Sequence, residues 1–74
     1  MSCKVSIVIE KDENGYYAYC PDLEGCQTQG DDLDEVMANM KEAIGLYIDT
    51  LSEEEKKAYL SKEILTTTME INVA

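Results

Sequence analysis

Three cysteines are the strongest nucleophiles in this 74-residue sequence, which contains no histidine and no arginine. Cys20 and Cys26 flank a Pro-Asp-Leu-Glu-Gly turn and could lie close together on two neighbouring strands. A reactive thiol needs an electropositive setting, whereas this region is acidic. An odd cysteine count without CxxC spacing argues against a disulfide framework and against a zinc site. We therefore expect reduced, mostly buried thiols with a structural role.

Carboxylates are plentiful, with 16 acidic residues against six lysines and a formal net charge of −10. A metal-dependent nuclease would need several of them to converge from strand centres on one site. The first strand instead has Ile7 and Val8 at its centre, and its one acidic residue, Glu10, lies near its end. Without histidine, a Ser-His or Cys-His pair cannot form, and no glycine-rich phosphate loop is present. We expect no catalysis, no metal and no cofactor. Metal-dependent RNA cleavage through Glu10 or Asp22 is the enzyme alternative.

The acidic residues are concentrated in one part of the chain, since residues 31–55 contain nine of them and one lysine. This disfavours direct binding of nucleic acid, which requires basic groups that neutralise phosphates. A basic protein partner is the better electrostatic match, although a solvated face explains the same pattern. The candidate contacts to such a partner are Asp34, Glu35, Glu42 and Asp49.

One amphipathic helix over residues 31–51 must position these acids, with Asp31 as its predicted N-cap. Its apolar residues recur at helical spacing and form one stripe, made of Leu33, Val36, Met37, Met40, Ala43, Ile44, Tyr47, Ile48 and Leu51. A stripe this wide suits a sheet better than a coiled-coil seam. A second, short helix is predicted from the capping box at Ser52 and Glu55 to about Ser61.

Alternating apolar and polar residues predict four strands, over residues 3–10, 16–20, 26–29 and 63–73. Asn14-Gly15 predicts a hairpin between the first two, because both residues accept positive φ. Whether this hairpin has a two-residue turn or a four-residue loop, Ala18 lies on the face toward the helix, and Tyr17 and Tyr19 lie on the other face. Tyrosine is enriched at interfaces but also simply favours strands. Tyr17 and Tyr19 are therefore further candidate partner contacts.

The predicted class is α+β, with element order β-β-β-α-(short α)-β. A helical crossover permits a parallel pairing, so we expect sheet order 3-2-1-4 with the fourth strand parallel to the first and the long helix on one face. An unpaired last strand would invite homodimerisation. No apolar run reaches the ~18 residues that span a bilayer, and no signal peptide opens the chain. We expect one cytoplasmic domain over residues 1–74 that does not contact membranes.

Together these residues resemble the HicB-type antitoxin domain, whose pattern is roughly G-Y-x-A-x-x-P-D-L-P-G-C-x-x-x-G-D-T-x-E-E-A-x-x-N-x-x-E-A-I. The matching residues are Gly15 to Tyr19, Pro21 to Cys26, Gln29 to Asp31, Asp34, Glu35 and Asn39 to Ile44. The sequence departs from the pattern at Glu24, Asp32 and Val36, where the family has proline, threonine and alanine. The resemblance covers nearly the whole chain.

The resemblance implies a β-β-β-α-β partial RNase H-like fold without the nuclease carboxylates. It also implies a role in binding and neutralising HicA-type toxins, which are small basic proteins that cleave mRNA. We expect a single HicB-like domain without a DNA-binding domain. Pro21, Asp22 and Gly25 are expected to shape a structural loop that contributes to the contact. The alternative is a stand-alone homo-oligomeric HicB-like domain of unassigned role.

Overall fold

The computed structural model describes residues 3–74 and contains a three-stranded antiparallel sheet followed by two helices. The elements are β1 (Val8–Asp12), β2 (Gly15–Tyr19), β3 (Gln27–Gly30), α1 (Leu33–Asp49) and α2 (Glu53–Tyr59). The strands lie in the order β1-β2-β3, and both neighbouring pairs are antiparallel. The α+β class and the arrangement of the first three strands are therefore as predicted.

A tight connection joins β1 and β2. Lys11 pairs with Tyr16 and Asp12 with Gly15, which is the register expected for the four-residue alternative. The Asp12 carboxylate accepts a hydrogen bond from the Asn14 backbone N–H at 2.8 Å. Within this turn Gly15 takes a positive φ, of 124°, and Asn14 does not, so the predicted hairpin forms without a second residue of positive φ. The hydrogen bond from the Asn14 N–H to the Asp12 carboxylate closes the turn.

The first strand is shorter than predicted, because residues 3–7 lie outside the ladder and pairing begins at Val8 opposite Tyr19. β2 ends at Tyr19 and the chain then turns away, so no strand lies beside the earlier residues on that side. Val5 and Ile7 nevertheless pack against the hydrophobic core. This segment is held by side-chain burial rather than by strand pairing.

Helix α1 covers β3 and β2. Its N-cap is Asp32 and not Asp31 as predicted, since the Asp32 carboxylate accepts from the Glu35 N–H at 2.7 Å. The Glu35 carboxylate in turn accepts from the Asp31 N–H at 3.0 Å. Gly30 gives the closest approach of sheet and helix, because a Cβ there would lie 2.7 Å from the Val36 nitrogen.

The predicted apolar stripe of α1 is buried only in part. Val36, Met40 and Ile44 are buried in the core, whereas Leu33 and Met37 are 49% and 42% exposed. The remaining members pack at the core's margin, namely Ala43, Tyr47, Ile48 and Leu51. Leu33 and Met37 therefore lie beyond the area that the three-stranded sheet covers.

The second helix has the predicted start. The Ser52 hydroxyl accepts from the Glu55 N–H at 3.1 Å, and the Glu55 carboxylate accepts from the Ser52 N–H at 2.9 Å. The helix ends at Tyr59, two residues earlier than predicted. The capping box is therefore present as the spacing indicated.

The fourth strand predicted over residues 63–73 is not formed, and neither its parallel pairing with the first strand nor the sheet order 3-2-1-4 is seen. Every residue from 65 to 74 is exposed. The apolar alternation is real, but alternation alone does not form a strand, and none of residues 63–74 joins the sheet in the structure. The RNase H-like fold implied by the resemblance is accordingly not shown.

Candidate partner-binding surfaces

The acidic side of α1 faces away from the sheet. Asp34, Glu42 and Asp49 are exposed, and at about 100° per residue they fall on one side of the helix, opposite Met40. The last turn of α1 holds no basic residue. Within residues 3–74 the structure contains one ion pair, between Lys56 and Glu53 of α2. We call Asp34, Glu42 and Asp49 the acidic face; its charge is not neutralised by neighbouring lysines.

Glu35, the fourth predicted acid, has a different role. Its carboxylate is exposed but accepts the backbone bond from Asp31 that supports the helix start. Two acids, Asp34 and Glu35, occupy the first turn of α1, where they also complement the positive end of the helix dipole. Glu35 is therefore less free than the acidic face to contact a partner.

The two predicted tyrosines lie side by side on the sheet surface that α1 leaves uncovered. Tyr19 pairs with Val8 and Tyr17 with Glu10, as the predicted strand parity required. Their ring centroids are 5.9 Å apart. The Tyr17 hydroxyl donates to the Gln27 side-chain oxygen at 2.8 Å, which fixes the ring position. We call Tyr17 and Tyr19 the tyrosine face.

The acidic face and the tyrosine face lie on opposite sides of the sheet. Helix α1 packs on one side, through Ala18 among others, and the tyrosines project from the other. A partner with one flat surface cannot contact both faces at once. The structure thus divides the predicted contact residues into two separate surfaces.

The turn between β2 and β3 is a closed, well-bonded loop. Cys20 N–H donates to the Cys26 carbonyl at 3.0 Å, Leu23 N–H to the Cys20 carbonyl at 3.1 Å, and Cys26 N–H to the Leu23 carbonyl at 3.0 Å. The Leu23 side chain is fully buried. Gly25 adopts a φ of 81°, which an L side chain rarely adopts. These contacts make the loop a rigid part of the core.

Asp22 connects this loop to the start of the chain. It is the one buried charged residue in the described part of the chain, at 7% exposure. Its carboxylate accepts from the Ser6 backbone N–H at 2.8 Å, and the Cys20 sulfur lies 4.0 Å away. The carboxylate thus supplies the bond that strand pairing does not give to residues 3–7. Sequence spacing gave no signal for this contact, which spans 16 residues.

A concave region of about 540 Å³ lies between the loop and the ends of the helices. Its lining includes the predicted Tyr17, Tyr19, Pro21, Asp22 and Gly25. Three further lining residues were not predicted as site residues: Tyr47, Tyr59 and Lys62. Tyr47 packs at the core's margin as a member of the α1 stripe, and its hydroxyl also donates to the Glu24 carbonyl at 2.9 Å. The loop and the tyrosine face therefore share one hollow.

The three thiols are free, with Cys20 and Cys26 buried and Cys3 exposed. Burial raises the pKa of the Cys20 thiol, and backbone hydrogen bonds around Asp22 and Leu23 offset this only in part. Burial likewise raises the pKa of Cys26, with a smaller contribution from Cys20. Both thiols are therefore protonated at neutral pH, and the thiolate is the nucleophilic form.

A third surface feature is an apolar groove between α1 and the segment before β1. It is lined by Val5, Ile7, Met37, Ala38, Lys41 and Ile44. We call this set the apolar groove. None of its lining residues comes from residues 65–74.

Among residues 3–74, no three histidine, cysteine or acidic side chains come together as metal ligands. Asp22, one of the two residues considered for RNA cleavage, is engaged with Ser6, and Glu10, the other, is exposed beside Tyr17. In the same described range, no helix is long and apolar enough to cross a membrane.

The chain is similar in sequence to known proteins over most of its length. A family profile described as "HicB_like antitoxin of bacterial toxin-antitoxin system" matches residues 5–72. A UPF0150 protein of Helicobacter pylori is 51% identical over 59 residues, covering 80% of this chain and 81% of that protein. A UPF0150 protein of Archaeoglobus fulgidus is 44% identical over 63 residues, covering 84% and 91%. No solved structure gives a significant match.

Proposed function

Because the chain belongs to the HicB-like antitoxin family of bacterial toxin–antitoxin systems, we propose that it binds and neutralises a small basic toxin of the HicA type. The observation that carries the proposal is the acidic face, whose three carboxylates are exposed on one side of α1. Unpaired surface carboxylates on a rigid helix attract and orient a basic partner. The chain's net charge of −10 strengthens this attraction at long range.

The proposed action is binding and not catalysis. A protein that covers a toxin's surface needs complementary shape and charge, and both faces described above lie on regular elements that hold their side chains in place. The target of such a toxin is mRNA, so the proposal places the complex in the cytoplasm. It includes no direct contact with nucleic acid, since the acidic face would repel phosphates.

The proposal is tested with a purified HicA-type toxin from the same genome. The triple variant Asp34→Asn, Glu42→Gln, Asp49→Asn removes the acidic face and is expected to slow association about tenfold at low salt. A matched control, Glu13→Gln, Glu54→Gln, Glu63→Gln, removes the same charge from exposed sites elsewhere and should slow it much less. Association is measured by biolayer interferometry.

Two results would contradict the proposal at different levels. Absence of any binding by the unaltered chain would overturn the antitoxin function. An equal effect of both triple variants would overturn the assignment of the acidic face, because only net charge would then matter. The double variant Tyr17→Ala, Tyr19→Ala tests in the same binding assay whether the tyrosine face contributes to toxin binding.

We also propose that the protein is a homodimer or a higher homo-oligomer, which is the core of the alternative function, a stand-alone homo-oligomeric domain. The supporting observation is the exposure of four large apolar residues in the C-terminal segment: Leu65, Met69, Ile71 and Val73. Isolated exposed apolar residues are ordinary, but an apolar row along one extended segment marks an interaction site.

A further inference from the structure

The C-terminal segment, residues 65–74, has the residue pattern of a strand without a strand's partner. Its odd-numbered positions are Leu65, Thr67, Met69, Ile71 and Val73, and its even-numbered positions are mostly polar. The four large apolar side chains are between 65% and 88% exposed. In an extended chain, alternate residues share a face, so these side chains form one uncovered apolar row.

The apolar groove lies where a fourth strand would pack. It is bounded on one side by Met37 and Ile44 of α1 and on the other by Val5 and Ile7, and its one charged lining residue is Lys41. In the order β1-β2-β3, β1 pairs with β2 on one side only. Its other side therefore presents free backbone N–H and C=O groups beside the groove.

The segment is long enough to fill the groove. Ten extended residues span roughly 33 Å, whereas the groove's lining on α1, from Met37 to Ile44, spans roughly 10 Å. The segment can therefore cover both the groove and the edge of the five-residue β1. Leu33 and Met37, the exposed members of the α1 stripe, lie one helical turn apart on this side of the helix.

We propose that two copies of the chain exchange these segments, so that residues 65–73 of each copy add to the outer edge of β1 in the other and bury their odd-numbered side chains in its apolar groove. This specifies the homodimer proposed above and does not depend on toxin binding. Exchange of one identical element between two copies is an established route to dimers, and strand addition to a free edge provides the backbone bonds.

A second copy is the occupant that satisfies both unfilled features at once. A single chain leaves its own segment outside its own groove, and an unrelated protein that filled the groove would leave the four apolar side chains in water. Two reciprocal insertions bury the segment and the groove twice, so each dimer contains two identical contacts. Charge also permits the approach, because residues 65–73 contain a single acidic side chain, Glu70, and Lys41 lines the groove.

The test begins with the mass of the full chain in solution, by size-exclusion chromatography with light scattering. We expect twice the 8.3 kDa chain mass. The variant Met69→Asp, Ile71→Asp should raise the dimer dissociation constant about a hundredfold or more, since each carboxylate would be buried without a partner. The matched control Thr68→Asp, Asn72→Asp changes the opposite face of the same segment and should leave the dimer intact.

A mixing experiment identifies the exchange itself. The segment variant Met69→Asp, Ile71→Asp and the groove variant Met37→Asp alter exposed residues, so both should keep the native circular dichroism and each alone should be monomeric. Mixed together, they should form a heterodimer, because one intact segment still meets one intact groove. A monomeric unaltered chain, a dimer that survives the segment variant, or a mixture without heterodimer would each overturn the proposal.

Discussion

The buried thiols of Cys20 and Cys26 link the protein's stability to alkaline pH. Burial raises the pKa of both thiols in the folded state, whereas in the unfolded chain they ionise near pH ~8.5. Below that value both states keep the protons, and the full stability is present. Above it the unfolded state loses protons first, so the free energy of unfolding falls as pH rises.

We expect this fall in urea titrations between about pH 8 and pH 10. The variant Cys20→Ala should be less stable at neutral pH because of the lost packing, but its stability should decline less steeply across the interval. Cys3→Ala, which removes the exposed thiol, is the matched control for the loss of one cysteine. Equal slopes in all three proteins would show that the buried thiols do not contribute.

The Asp22 carboxylate supports the otherwise unpaired segment before β1 through its bond to the Ser6 N–H. Asp22→Ala should lower the free energy of unfolding by about 1–3 kcal/mol, because a partly buried donor loses its acceptor. Asp22→Asn keeps an oxygen in place and should cost less. Glu24→Gln, an exposed change in the same loop, should stay within about 0.5 kcal/mol. An Asp22→Ala effect as small as that of Glu24→Gln would contradict the assigned role.

For single residues, the sequence predicted the features that depend on neighbouring residues in the chain. The turn at Gly25, the reduced cysteines and the shared face of Tyr17 and Tyr19 follow from nearby residue types or from strand parity. The hydrogen bonds from the Ser6 N–H to Asp22 and from the Tyr47 hydroxyl to Glu24 join residues 16 and 23 positions apart. Contacts that distant depend on how the elements pack, and no local pattern encodes them.

Two glycines at the level of the elements provide a matched comparison. Gly30 lies where β3 meets α1, and a Cβ there would lie 2.7 Å from the Val36 nitrogen. Gly45 lies within α1 with open space around it. Gly30→Ala should therefore destabilise the fold by about 1–3 kcal/mol, because helix and sheet must move apart. Gly45→Ala should stabilise it by about 0.5–1 kcal/mol through helix propensity.

Thermal and urea unfolding of the two variants measures both effects. The opposite signs are the essential result, since the same methyl group is added in each case. A destabilising Gly45→Ala would instead point to a close approach at that exposed site, such as a contact with a second chain.

Elements with a strong periodic pattern were predicted well, and their ends less well. The α1 helix and the Ser52 capping box follow from spacing alone. The N-cap lies at Asp32 because two adjacent aspartates can each cap the helix, and only packing decides between them. The prediction of a fourth strand failed for a different reason. Alternation of apolar and polar residues indicates a tendency to pair, but it does not specify whether the partner strand lies in the same chain or in another.

For the molecule as a whole, the distribution of charge is the property with the clearest experimental consequence. If the acidic face guides a basic toxin, the association rate should fall steeply as ionic strength rises, because salt screens exposed charges beyond about 10 Å at 0.1 M. Stopped-flow rates at 50 and 300 mM salt measure this dependence. The triple variant of the acidic face should show a weaker dependence, and the matched control with dispersed changes an intermediate one.

Family membership, the acidic character of α1 and the division of the candidate contacts could all be anticipated from the residues. Strand parity predicts Tyr17 on the sheet face away from the helix, and helical spacing predicts Asp34 on the outer side of α1. In the structure, α1 packs against β2 and β3, and the two residues face opposite directions. A toxin must therefore select one face or wrap around an edge of the sheet.

The exposed C-terminal segment also affects how long the protein would persist. Proteases cut preferentially in exposed chain ends and loops, and Lys62, three residues before this stretch, is an exposed site for a trypsin-like enzyme. In a dimer formed by exchange the stretch would be shielded, and in a dilute solution of single chains it would be open to cleavage. The half-life of the protein would then lengthen as its own concentration rises.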